Sequence, residues 1–340
     1  MKKTITLLTF FIVTAVAALA QGPVAYMNAV MADQRKISED YLAYNSSIAH
    51  GKSARKVEKT RAELLSSVRL AIRNVEKLKD YEGDLSLKTA VAEYLDLTYK
   101  VLNDDYAKIV DMEEISEQSY DNMEAYMTAM DMVDKKMEEA SAKMQAAYEA
   151  FAKKNEVTIV DSEDDLDKKM KKTSEVNAYY NKAFLIFFKS YKQQMYLMAA
   201  VQEQKAGNIE QNRGQLEKDV KKSMDDMTAL GAFNGDLSLV NAAKKLFEFY
   251  QRQCSEFIPV MVDYYLKNER FQEQKKNFDA IKSKTQKDVD EFNAAVNDLN
   301  AAVNKSNKAS QEMNNLGAKL NNDWNNAVTA FMNKHMPRSK

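Results

Sequence analysis

Apolar residues recur along most of the chain at three- and four-residue spacing, the period of one helix face, and they fall into a few long segments. Val24 to Ala49 carries Met27, Val30, Met31, Ile37, Tyr41, Tyr44 and Ile48. It ends at His50-Gly51, where glycine supplies the left-handed residue that commonly closes a helix. Ser53 to Lys79 repeats the pattern with Val57, Leu64, Leu65, Val68, Ile72, Val75 and Leu78, and stops at Tyr81-Glu82-Gly83-Asp84. Asp84 or Ser86 then caps a third helix by accepting a backbone N–H. No Gly or Pro stands between Gly83 and Gly207, so the third helix is expected to continue to Lys154, about 100 Å. Its later part holds a heptad seam: Tyr120, Met123, Met127, Met130, Asp134, Met137, Ser141, Met144, Tyr148 and Phe151.

Asn155 to Asp161, with the only β-branched cluster at Val157–Val160, reads as a linker. Ser162 with Asp165 resembles a capping box and opens a helix to about Lys205. Tyr180, Phe184, Phe187, Tyr191, Met198 and Val201 form its stripe, widened by Leu185, Ile186, Phe188 and Met195, as expected of a helix enclosed by others. Gly207-Asn208 marks a turn. Val220, Met224, Met227 and Leu230 follow, and then a run from Leu246 to Ile258 in which Pro259 should introduce a kink. Thr285 with Asp288 is a second capping box. The last helix, Gln286 to Lys334, alternates three and four from Val289 through Phe292, Val296, Leu299, Val303, Ser306, Ser310, Met313, Gly317, Leu320, Trp324 and Ala327 to Phe331. Its small residues Ser306, Ser310 and Gly317 would let another helix approach closely.

Gly83-Asp-Leu-Ser-Leu87 recurs as Gly235-Asp-Leu-Ser-Leu239, with an aromatic two residues before each glycine, Tyr81 and Phe233. Val110-Asp111 is matched in register by Val262-Asp263, and Gly51 and Gly207 mark corresponding turns. The fold expected is all-α: an elongated bundle of long helices with coiled-coil-like packing, built from two diverged helical repeats. Residues 1–20 read as a signal peptide, 21–156 as the first repeat, 157–284 as the second, and 285–340 as a long C-terminal helix packing on the bundle.

The N-terminal segment reads as a targeting signal because Lys2 and Lys3 precede the apolar run Ile5–Ala15 and the small-residue pattern Ala18-Leu19-Ala20. Cleavage after Ala20 would expose Gln21 and place the product beyond the inner membrane. The cut site has no cysteine, since Cys254 is the only one, so neither a lipid anchor there nor an internal disulfide is expected. Charge is balanced, 49 basic against 50 acidic residues, and loss of Lys2 and Lys3 takes the net from −1 to −3. That balance argues against nucleic acid or an anionic membrane as partner, and no apolar run has the length of a membrane span.

Candidate chemistry is sparse. The only histidines are His50 and His335, and neither has a glutamate three residues before it, so no di-metal helical motif is present. The methionines lie on helix seams and read as core rather than copper ligands. Cys254 stands among Tyr250 and Phe257 and reads as a buried structural thiol. The basic run Lys52, Arg55, Lys56, Lys59 and Arg61 is diluted by Glu58 and Glu63, and reads as a solvated helix face before an anion site. No phosphate loop, nucleophile elbow or HExxH pattern occurs. Catalytic, cofactor-binding and metal residues are therefore expected to be none, and the protein is expected not to be an enzyme. Asparagine repeats every seven residues beside the last seam, at Asn293, Asn300, Asn307, Asn314 and Asn321. Such a stripe is either a hydrated flank or a polar strip for a partner, another envelope protein or a polysaccharide.

The segments His50–Lys59, Tyr81–Leu87, Tyr94–Tyr106, Phe184–Tyr191 and Asn208–Arg213 resemble an uncharacterised leptospiral-type family of secreted, helical bacterial surface proteins. The resemblance implies export and surface exposure and supplies no active site. The function expected is that of an exported, non-enzymatic envelope protein with a structural or binding role. The alternatives are a periplasmic ligand- or metal-binding bundle and a membrane-active protein acting through Phe184–Phe188.

Overall fold

A helix leaves its first N–H groups and last C=O groups without internal partners. In the computed structural model, which describes residues 13–14, 22–105, 118–161 and 164–339, several helix ends meet those groups with a capping side chain, as at Ser53 and Ser119, or close on a left-handed residue, as at Gly51, Gln204 and Gly231. The helices are α1 (Pro23–Val30), α2 (Gln34–Ala49), α3 (Ala54–Lys77), α4 (Ser86–Lys100), α5 (Tyr120–Lys154), α6 (Asp165–Glu203), α7 (Ala206–Leu230), α8 (Ser238–Arg252), α9 (Ile258–Ala280) and α10 (Gln286–His335). Five-residue π-helical segments, Val101–Asp105 and Gln253–Phe257, continue α4 and α8. Among the described residues the only ladder is two residues long, β1 (Val13–Thr14) antiparallel to β2 (Val160–Asp161). The fold is all-α, a set of helices packed against one another. The expected signal segment apart from residues 13–14, Val110-Asp111 and Ser162 lie outside the described residues.

Two compact units divide the chain: Met1–Asn181 with Thr329–Lys340, and Lys182–Val328. In the first, α2 packs on α3, α3 on α4 and α4 on α5, while α1 touches α3, α4 and α5. The third helix does not run on to Lys154. Ser119 adopts extended backbone, its hydroxyl accepts the Asn122 N–H at 3.1 Å, and α5 packs back against α4. Folding back lets Met123, Met127, Met130, Met137, Met144 and Phe151 be buried, where one unbroken rod would leave an apolar stripe in water. The first helix is also interrupted, at Met31–Asp33, where the Asp33 carboxylate accepts from Asn74 of α3 at 2.8 Å.

In the second unit α7 packs on α8 and α9 on α7. Phe184, Phe187 and Phe188 are buried, and Phe187 stacks on Trp324 with ring centroids 4.3 Å apart. The stripe of α6 is narrower than its sequence suggests, because Met195 and Tyr196 face solvent. Gly317 is where α10 approaches closely: a Cβ there would lie 3.2 Å from the Phe249 ring. The turn before α7 uses Gln204, at φ 56°, while Gly207 sits inside the first turn of the helix.

The repeated Gly-Asp-Leu-Ser-Leu segments have the same geometry. Tyr81 bridges Asp84 as Phe233 bridges Asp236, through paired backbone hydrogen bonds of 2.9–3.2 Å. Glu82-Gly83 and Asn234-Gly235 both have positive φ, which glycine adopts without steric penalty. The choice between Asp84 and Ser86 resolves to the aspartate: its carboxylate accepts the Ser86 N–H at 2.9 Å, and Asp236 accepts that of Ser238 at 2.8 Å. Each turn opens a 15-residue helix followed by a five-residue π segment. Into each π segment an arginine of the preceding helix donates, Arg61 to the Leu102 carbonyl at 3.3 Å and Arg213 to the Cys254 carbonyl at 3.2 Å. Both arginines also pair with the glutamate three residues earlier, Glu58 and Glu210. Gly83, Arg61 and Leu102 stand 152 positions before Gly235, Arg213 and Cys254. In a π turn the donor to the Cys254 carbonyl would be residue 259, a proline with no N–H, and the guanidinium takes that place.

The capping box at the last helix forms as its sequence suggests, with Thr285 N–H donating to the Asp288 carboxylate at 2.7 Å and Asp288 N–H to the Thr285 hydroxyl at 3.2 Å. At α6 the box is Asp164 with Asp167.

Because Phe187 is enclosed by aromatic rings, Phe187→Asp buries a charge without a partner and should lower the unfolding free energy by about 3–5 kcal/mol. Urea denaturation checks it; unchanged stability would favour a segment held in reserve for lipid.

Candidate functional site: a polar cleft at the turn between α2 and α3

The end of α2 is closed by Gly51 at φ 62°, with Lys52 N–H donating to the Ser47 carbonyl at 3.0 Å. Ser53 caps α3, accepting from Lys56 N–H. This corner, with the start of α6 and the C-terminal segment after α10, encloses an open cleft of about 800 Å³ in the first unit. The volume is that of a small-molecule site, but its walls are far more polar than such sites usually are.

Every acid on the cleft is matched by a base. Glu39 pairs with Arg35 at 3.4 Å, Asp40 with Lys36, Asp165 with Lys169 at 3.0 Å, and Glu63 with Lys59 at 3.6 Å. Asp40 also accepts the Ser67 hydroxyl. Lys52, Lys56 and Arg338 form no ion pair among the described residues, so the wall they make carries surplus positive charge. The start of α3 adds the positive end of its dipole. Hydroxyls line the floor: Ser47 and Thr60 lie 3.0 Å apart, and Ser46 accepts the Ser339 N–H at 3.4 Å. His50 has its Nδ1 2.8 Å from the Asn333 amide oxygen, which makes Nδ1 the donor. Its Nε2 is buried without a hydrogen-bond partner. The arrangement offers ammonium and guanidinium groups to a polar anion.

No protein-family model, curated protein or solved structure matches this chain.

The structure divides the basic run. Lys52 and Lys56 enter the cleft, Lys59 pairs with Glu63, and Arg61 turns to the π segment. Arg338 joins from the far end of the sequence, where no local pattern marks it. The asparagine stripe forms no part of the cleft. Asn293, Asn300, Asn307 and Asn314 are exposed along one flank of α10, while Asn321 is half-buried and donates to the Gly317 carbonyl at 2.9 Å. No cluster of three metal-ligating His, Cys, Asp or Glu side chains occurs among the described residues, and no described helix is long and apolar enough to cross a membrane.

Cys254 is buried, as expected from its neighbours, and burial, followed by the nearby Glu217 carboxylate, pushes its thiol up to about 12. The thiolate is the reactive species. Iodoacetamide in mildly alkaline buffer should therefore leave Cys254 unmodified in the native protein and alkylate it rapidly after unfolding, as followed by intact mass. Fast native labelling would overturn this assignment.

Proposed function

We propose that this chain is an exported, non-enzymatic helical protein of the cell envelope with a binding role, and that the cleft of its first unit receives a polar anion. The observation that carries the binding role is the mismatch of charge in that cleft: its acids are all paired, and Lys52, Lys56 and Arg338 are not. Export rests on the basic, apolar and small-residue order of residues 2–20, and the resemblance to secreted helical surface proteins supports the same placement. The two corners with the same turn, cap, 15-residue helix and arginine-filled π segment support descent from one duplicated helical unit. The heptad seams of α5 and α10 support coiled-coil-like packing between their helices. A membrane-active role is disfavoured by the burial of Phe184, Phe187 and Phe188 in the folded state.

Titration with inorganic phosphate, sulfate and citrate at low ionic strength, followed by calorimetry, tests the cleft. Saturable binding should weaken at least about tenfold in Lys52→Glu/Lys56→Glu, because each swap replaces attraction by repulsion. Equal affinity in that variant, or no saturation by any of the three anions, would remove the cleft from consideration. Export is tested separately: mass spectrometry of protein from the native cell envelope should find Gln21 at its N-terminus, and an intact Met1 end in the bulk protein would sink that part of the reading.

A further inference from the structure

The last helix, α10, is continuous to His335, and Met336, Pro337, Arg338 and Ser339 follow it. From Thr329 onward these residues belong to the first unit. The end of the helix is well anchored there. Phe331, Met332 and Met336 are buried, Phe331 stacks on Tyr179 with ring centroids 5.6 Å apart, and Asn333 accepts from His50 at 2.8 Å. The Met336 N–H still donates to the Met332 carbonyl at 3.0 Å. Pro337 then ends the helical pattern, because it has no N–H to continue it.

Beyond that point the chain is held by very little. Among the described residues, the single hydrogen bond of residues 337–339 runs from the Ser339 N–H to the Ser46 hydroxyl, and at 3.4 Å it is longer than the usual N–H···O range. Arg338 is exposed on the cleft and has no ion pair among the described residues. The acids of the cleft are already taken by Arg35, Lys36, Lys59 and Lys169. Lys52 and Lys56 on the same cleft have no counter-ion either, so a weakly held segment is set among like charges, which repel. A monovalent anion compensates one of these three bases. A molecule with two or three anionic groups compensates them together, and a cleft of about 800 Å³ has the size of an organic-ligand site.

Resting on the anion reading of this cleft, we propose that its ligand is a small organic polyanion, such as a tricarboxylate, and that residues 337–339 are the clamp that closes on it. Lys52 and Lys56 hold the ligand from the α2–α3 corner, Arg338 holds it from the C-terminal segment, and binding fastens that segment to the cleft. Calorimetric titration of the full mature chain at low ionic strength should find citrate bound at least about tenfold more tightly than acetate. Arg338→Ala changes an exposed side chain and should leave the melting temperature unaltered, while weakening citrate by about tenfold. Trypsin reports the segment itself, since the Arg338–Ser339 bond is one it can cut. Saturating citrate should slow that cut at least about fivefold, as followed by intact mass, because cleavage tracks the population of the open segment. In Lys52→Glu/Lys56→Glu citrate should leave the rate unaltered, which also controls for any action of citrate on the protease. If Lys52→Glu/Lys56→Glu weakens citrate but Arg338→Ala does not, or if citrate leaves the wild-type cut unaltered, the clamp is overturned and the anion cleft stands. Acetate bound as tightly as citrate overturns the polyanion. A chain that citrate fails to saturate removes cleft and clamp together.

Discussion

The hydrogen bond from the Ser86 N–H to the Asp84 carboxylate, with its counterpart from Ser238 to Asp236, gives a partner to the first N–H of the helix that starts at each Gly-Asp-Leu-Ser-Leu corner. An uncapped start would leave donors without partners, and the flanking glycine is what permits the backbone to reverse just before the cap. In the first unit the corner is also held from outside. Lys154 donates to the other oxygen of Asp84 at 2.7 Å, and that bond, followed by those from Ser86, keeps the carboxyl well below the usual carboxylate range. Tyr81, two residues before the glycine, meets Tyr26 and Phe151 at ring separations of 5.4–5.5 Å. Cap, ion pair and aromatic contact thus fix one corner against both α1 and α5.

Each corner commits the chain to a second device farther along. The helix it opens passes into a π segment after 15 residues, and an arginine from the preceding helix donates to a carbonyl within that segment. Proline at 259 cannot be the sole cause, because Val101–Asp105 is π-helical with no proline in the vicinity. The shared element is the guanidinium, a multi-donor group long enough to reach across from α3 or α7. This division of labour removes Arg61 from the solvated basic face and leaves Lys52 and Lys56 as the bases of that run in the cleft.

The cleft and the hairpin of α9 and α10 illustrate two ways in which polar groups go unmatched. In the cleft, local i, i+4 pairs within α2, α3 and α6 absorb every acid, so the bases brought in from the α2–α3 turn and the C-terminal segment remain over. On the hairpin α9 carries as many bases as acids, and a surplus of acids lies on the start of α10, over a seam with too few neighbours to be buried.

Helix existence was legible because three–four spacing is a local property: the seams of α5 and α10, the Thr285–Asp288 box, the Gly51 stop and the buried Cys254 all appear where the residues place them. The twin Gly-Asp-Leu-Ser-Leu corners were legible for the same reason, since a tight turn and its cap span only a few residues. Helix ends set by distant partners were not. The fold-back at Ser119 depends on α4 being available to bury the methionine seam, and the break at Asp33 on Asn74 of another helix. The asparagine stripe, conspicuous in sequence, lies on the exposed flank of α10 and reaches neither the cleft nor the core, because a heptad repeat specifies a face but not what lies opposite it. The cleft was hidden for the converse reason. Its unmatched bases come from residues 52–56 and 338, and only folding reveals both that they converge and that the acids beside them are already taken.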